Sequence, residues 1–166
     1  MEFEPQGRGE QTNGLLHPFQ AINVGGLSAL WHGTGGFAQD ALDEAHSRYG
    51  GSTHNDAGDA FRHVYWSALI TFWQGAESAK QWTDAHERSH PNDAGEQVMD
   101  LYNNHIGRQI GLDALASSHS LPGFPSLSGW AAFATLADRV QEAVDNGRTV
   151  NAPINVQNPS STIIPY

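Results

Sequence analysis

Apolar residues recur at helical spacing along most of this chain, and the polar positions that interrupt them fall on particular helix faces. From Asp56 to Trp73, Ala60, Phe61, Val64, Tyr65, Ala68, Leu69 and Phe72 cover most of a helical circumference, which predicts a helix buried on nearly all sides. Gly75 to Glu87 continues that helix or restarts it after a kink, and a further helix spans Asp93 to Leu112. Leu127 to Val144 carries Trp130, Phe133, Leu136, Val140 and Val144 on one face and predicts a last helix. Upstream, Gly25, Gly26, Gly33, Gly35 and Gly36 punctuate a turn-rich stretch, so a short helix is expected only from Asp40 to Tyr49, closed by Gly50 and Gly51.

Residues 1–16 are polar and aperiodic and are expected to form a loose arm. Four Asn and three Pro between Asn146 and Tyr166 exclude a helix there. Residues 147–166 are therefore expected to be an extended tail, with a short edge strand at Thr162 to Ile164. The expectation is one all-α domain over 17–146, a compact bundle of four to five helices.

The tetrapeptide Asn-Asp-Ala-Gly opens two of the helices, at Asn55–Gly58 and Asn92–Gly95, followed each time by a carboxylate, Asp59 or Glu96. An aspartate at the cap with an acid three residues on is helix-start chemistry, because the first turn has free N–H groups and a positive dipole end. The recurrence is repeated capping rather than a tandem repeat.

Composition narrows the function classes. With 166 residues, 39% apolar and 16% charged, the chain is long enough for one core without disulfides. The absence of cysteine removes thiol nucleophiles, Cys-based zinc sites and iron–sulfur clusters. A net charge of −10, with Lys80 as the single lysine, argues against nucleic-acid binding. No apolar run is long enough for a transmembrane span, and the start lacks the pattern of a signal peptide, so any export is expected to be as part of a larger protein.

Three groups of residues carry candidate chemistry. On the first long helix Asp59, Arg62, His63 and Trp66 share one side, and an acid, an arginine and a histidine on a core helix are costly unless they pair. On the next, Asp100, Asn103, Asn104, Gly107 and Arg108 form a second polar stripe, in which paired asparagines are poor choices for an ordinary solvated helix face. Between them, His86-Glu87-Arg88-Ser89-His90 spells H-E-x-x-H, a pattern that places two imidazoles on one helical face for zinc with a glutamate as base. Pro91 disfavours helical geometry at His90, and the third ligand is unassigned, with Asp93, Glu96 and His105 as candidates without a signature spacing. The plainer alternatives are a capping role for Asp59, a salt bridge for Arg62 and a solvated face for the second stripe. His32 precedes a Gly-rich turn that could approach an ion, and the remaining histidines sit near turns or polar neighbours.

Gly58-Asp59-Ala60-Phe61-Arg62-His63-Val64-Tyr65-Trp66, Ala85-His86-Glu87 and Met99-Asp100-Leu101-Tyr102-Asn103-Asn104 with Gly107-Arg108 resemble, in order and spacing, a bacterial domain family of poorly defined function. That family is associated with the C-terminal ends of wall-associated and RHS-type polymorphic toxin proteins. The resemblance covers Asn55 to Gly111 and implies that Asp59, Arg62, His63, His86, Glu87, Asp100, Asn103, Asn104 and Arg108 belong together; His90 is not in its pattern. It also implies a secreted effector acting on phospholipid or peptidoglycan, with an immunity protein as partner.

The leading expectation is a small hydrolase. His63 would be a general base oriented by Asp59 or Asp100, with Arg62, Arg108, Asn103 and Asn104 holding an anionic group. Trp66 and Tyr65, with Trp73 and Trp82, would contact substrate. A calcium-assisted phospholipase-like reaction is one form of this expectation by analogy. A zinc peptidase using His86, Glu87 and His90 is a second, and a non-catalytic module with a buried polar network is the third.

Overall fold

A computed structural model describes residues 27–51, 53–89 and 93–153. The arm at 1–16, His90 and the edge strand at 162–164 lie outside these residues, and for 27–35 only the backbone is described. Among the described residues there are six helices and no strand: α1 (Leu27–Tyr49), α2 (Ala57–Gln74), α3 (Ala76–Ser89), α4 (Ala94–Ser117), α5 (Leu127–Ala134) and α6 (Leu136–Asp145). The class is all-α, as the periodicity predicts.

α2 is the axis of the bundle. Phe61, Val64, Ile70 and Phe72 on its several faces are fully buried. A helix apolar all round must be surrounded, and α1, α3, α4 and α6 all pack on it. Each large side chain removed from water here contributes about 1.5–3 kcal/mol. Arg48 fastens the outer helices, bonding Glu44 at 2.7 Å on its own helix and Asp138 on α6 at 2.8 Å, with its guanidinium 5.6 Å from the Phe61 ring.

Both Asn-Asp-Ala-Gly segments start helices. The Asp56 carboxylate accepts from the Asp59 N–H at 2.9 Å, and the Asp93 carboxylate from Gly95 and Glu96 at 2.8 and 3.0 Å. Asn55 adopts a left-handed backbone (φ 56°), which asparagine tolerates, and its side chain donates to Glu96. The starts of α2 and α4 are thereby tied together.

Two boundaries differ from the pattern. α1 runs back to Leu27 through Gly33, Gly35 and Gly36, where a turn is predicted. Phe37, Ala41 and Ala45 are buried in the core, and extending an anchored helix adds one hydrogen bond per residue, which outweighs glycine's cost of about 1 kcal/mol. The predicted helix from Leu127 to Val144 is split at Thr135 (φ −104°, ψ 6°), whose hydroxyl donates back to Ala132 O at 3.1 Å. That break makes the sixth helix.

α2 and α4 run side by side in the same direction, with α3 as the return between them. Their seam needs glycine. A Cβ on Gly107 would overlap the Val64 carbonyl oxygen and lie 2.7 Å from Ser67 Cβ, and one on Gly111 would lie 2.7 Å from Thr71 Cβ and 2.9 Å from Ala68 O. Ser67 donates across the seam to Asn104 O at 2.7 Å. Gly107 is thus a packing position rather than part of a polar face.

Gly107→Ala is expected to destabilise the fold by about 1–3 kcal/mol, the usual cost of overpacking a seam that cannot open freely. Urea unfolding followed by circular dichroism measures it. An unchanged midpoint would show that the helices separate without cost.

Candidate functional site

The two polar stripes meet. Asp59 and His63 of α2, Glu87 of α3 and Asp100 and Asn104 of α4 converge at the upper end of the seam, each buried to within 4% of completely. His63 lies at the centre: Nε2 is 3.4 Å from Asp100 Oδ1 and 3.6 Å from Asp59 Oδ1, while Nδ1 is 3.6 Å from Glu87 Oε1. Asn104 donates to Glu87 Oε1 at 2.9 Å.

Local structure explains why Asp59 holds its place. One oxygen accepts from the Asn55 N–H at 2.8 Å, one residue before the usual capping-box partner. The other accepts from Arg62 Nη2 at 2.7 Å. The plainer capping role and the site role therefore belong to one side chain. Arg62 Nη2 is also 2.7 Å from His63 Nε2, a contact in which a guanidinium can only donate. His63 is therefore the neutral tautomer with its proton on Nδ1, facing Glu87.

The electrostatics agree. Burial, reinforced by Arg62 and His86, holds the His63 imidazole well below the usual histidine range, with Asn104 opposing. Burial, then the neighbouring Asp100, pushes the Glu87 carboxyl up to about 8 against the opposing pull of Asn104 and Arg62.

Other predicted residues lie elsewhere or do other work. Tyr65 is on the far side of α2, two residues and about 200° from His63, with its ring 5.5 Å from Phe61. Trp66 is buried with its ring 5.2 Å from His86 and edge-on to it, so it braces α3 instead of offering a substrate surface. Trp73 packs on Phe72 and Phe133, and Trp82 is buried in the same hydrophobic core. Asn103 is spent on the chain after α6: its amide donates to Val150 O at 2.8 Å and accepts from Val150 N at 2.9 Å. Arg108 is buried one turn beyond Asn104, where Asp84 and Glu77 of α3 oppose the effect of burial on its guanidinium. His86 stacks toward His63 at 6.5 Å between ring centres. His86 and Glu87 lie on α3, and His90, the second histidine of H-E-x-x-H, lies outside the described residues.

Asp59, His63 and Asp100 each offer a donor atom within 4.8 Å of the others, a spacing that can hold a metal ion. The sequence places metal chemistry at His86, Glu87 and His90; among the described residues the group with a metal-compatible spacing is Asp59, His63 and Asp100. What fold and site define is an all-α domain built round a buried histidine–carboxylate centre. The chain belongs to the family described as a domain of unknown function, DUF6973, whose model matches residues 32–124 and so takes in the whole cluster. No curated protein and no solved structure matches the chain.

Because Glu87 titrates above its ordinary 4.5, the folded state keeps a proton that the unfolded chain loses between pH 4.5 and about 8, and stability falls as pH rises through that window. His63 acts oppositely, costing stability as pH falls below its ordinary 6.5. In metal-free buffer, Glu87→Gln is expected to exceed the wild type in stability by on the order of 4 kcal/mol at pH 8, shrinking below about 1 kcal/mol at pH 5. Urea unfolding at several pH values measures the difference; a constant offset across the range would refute the assignment.

Proposed function

We propose that this domain is a small bacterial hydrolase centred on a divalent cation held by Asp59, His63 and Asp100. The observation that carries the reading is the charge balance of the interior. Three carboxylates, Asp59, Glu87 and Asp100, lie round one neutral imidazole in a buried cluster, with Arg62 paired to Asp59. Crowding several carboxylates into a buried site raises the cost of keeping them all ionised, and a divalent ion held by Asp59, His63 and Asp100 would offset that cost.

An imidazole nitrogen beside two carboxylates suits Zn2+ better than Ca2+, which prefers oxygen donors throughout. Three protein donors leave a coordination position open, and a cation bound there supplies an activated water at neutral pH. Arg62 Nη2 sits between Asp59 Oδ1 and His63 Nε2, where such an ion would bind, so guanidinium and cation exclude one another. Arg62 retains 27% side-chain exposure, the most of the charged groups in the cluster, and its outward swing opens the site. Once displaced, it stands at the mouth as a donor for an anionic substrate group. Glu87, protonated near neutral pH, is placed to exchange a proton with the Nδ1 side of His63.

The substrate class rests on the resemblance to toxin C-terminal domains. Phospholipid or peptidoglycan of the cell envelope is the material to test, with an immunity protein as the partner and export within a larger protein as the route. Among the described residues no helix is long and apolar enough to cross a membrane.

The near-complete burial of His63 favours a second reading, in which the cluster is a non-catalytic network that sets helix register. Zn2+ titration of the metal-free protein by calorimetry separates the two. The hydrolase reading expects one ion per chain, loss of binding in Asp59→Asn and Asp100→Asn, tighter binding in Arg62→Ala, and a folded His63→Ala that no longer hydrolyses lipid vesicles or peptidoglycan. A wild type that binds no divalent ion, with His63→Ala unfolding several kcal/mol more easily, would instead establish the structural network.

A further inference from the structure

The end of the domain remote from His63 is built inside out. Between Asp113 and Asp138 the sequence holds no Asp, Glu, Lys or Arg, in a chain whose net charge is −10, and His119 is the one titratable side chain there. The connection that follows α4 starts about 20 Å along that helix from Asn104, at 1.5 Å per residue, so none of it belongs to the cluster.

The serines of this connection turn inward. Ser118 Oγ donates to Ala114 O at 2.7 Å and lies 3.0 Å from Ser120 Oγ, which accepts from the Ser126 N–H at 3.1 Å. Ser126 Oγ and Ser128 Oγ both donate to Ser118 O at 2.9 Å. Gly129 leaves room for this net, since a Cβ there would overlap Ser120 Oγ. The apolar side chains turn outward. Leu121 and Phe124 close a tight turn, with the Phe124 N–H on Leu121 O at 2.9 Å, and are 70% and 64% exposed. Leu127 and Trp130, one turn apart on α5, are 91% and 53% exposed. Of the five large apolar side chains exposed among the described residues, four therefore lie between 121 and 130.

Water satisfies a hydroxyl wherever it points, so contact with solvent alone gives no reason for this inversion. A lipid interface does: polar groups entering it must already be paired, while apolar side chains enter without needing a matched surface. Four side chains fall well short of the roughly 800 Å² per partner that a stable protein interface needs, and the stretch has no charged rim to fix register. The charges elsewhere select among lipids, because a chain with an excess of carboxylates is repelled by anionic headgroups and not by zwitterionic ones. We infer that Leu121, Phe124, Leu127 and Trp130 dock this end of the domain into the interface of a zwitterionic phospholipid bilayer, lying on the membrane without crossing it. The inference goes beyond the hydrolase reading and does not need it.

Co-sedimentation of the full chain with phosphatidylcholine vesicles tests it. Binding is expected, unchanged by added salt and weaker once phosphatidylglycerol is mixed in. Phe124→Ser with Leu127→Ser is expected to weaken it about tenfold or more, the least that withdrawing two such side chains from an apolar phase brings. Both positions are exposed, so the unfolding midpoint should stay at the wild-type value and serve as the control for folding. Brominated phosphatidylcholine is expected to quench the tryptophan emission, and to quench it less in Trp130→Phe. No binding by the wild type, binding that the double variant leaves intact, or binding that appears only with anionic lipid and disappears in salt would overturn the inference. So would a concentration-dependent dimer that the double variant dissociates, since a second copy of the chain would then be the occupant. The assay reads binding without turnover, so its failure leaves the hydrolase reading standing, and failure of that reading leaves this surface.

Discussion

The closeness of α2 and α4 is the constraint on which the other features depend. Gly107 and Gly111 remove side chains where α4 would strike the Val64 carbonyl, Ser67 and Thr71, and the backbones are drawn together. On α2 the seam accepts only small groups there, and Ser67 and Thr71 turn their hydroxyls onto carbonyls at 2.7 and 2.8 Å, so neither buried hydroxyl is left unpaired. One turn toward the helix starts, the same proximity leaves Asp100 facing His63. A seam of leucines would hold the helices several ångströms further apart and dissolve the cluster.

Charge placement follows from that geometry. The capping aspartates, the Asn55 bridge to Glu96 and the two-sided use of Asp59 fix the starts of both helices, so the acids are held by backbone N–H groups as well as by Arg62. α3 then inserts Glu87 from the side, steadied by Asn104. The result is an interior with more potential negative charge than positive. Glu87 answers by keeping its proton, and Arg62 by donating to both Asp59 Oδ1 and His63 Nε2.

Much of this was legible in the residues. Helical period located α2, α3 and α4, the repeated tetrapeptide located two caps, and each polar stripe was visible on its own helix. That the stripes face one another was not, because periodicity assigns residues to a face without saying which helix covers it. Tyr65 shows the cost of reading neighbourhood along the chain: adjacent in sequence to Val64 and Trp66, it points away from the cluster and into another groove. Asn103 shows another limit, since its partner is backbone 47 residues away and carries no side-chain signature. The break at Thr135 is hidden by apolar spacing that continues across it, and three glycines mask the first half of α1 although the buried face that follows carries the helix through them.

Asn103 has one more implication. By giving and taking a hydrogen bond with Val150, its amide behaves as a single rung of sheet on the flank of a helix. The chain leaving α6 is therefore moored to the middle of α4, one turn from Asp100 and next to the asparagine that holds Glu87. A mechanical load applied beyond Val150 would be borne by this amide before it reached the end of α6. Tension transmitted through Val150 is thus felt beside the histidine–carboxylate centre.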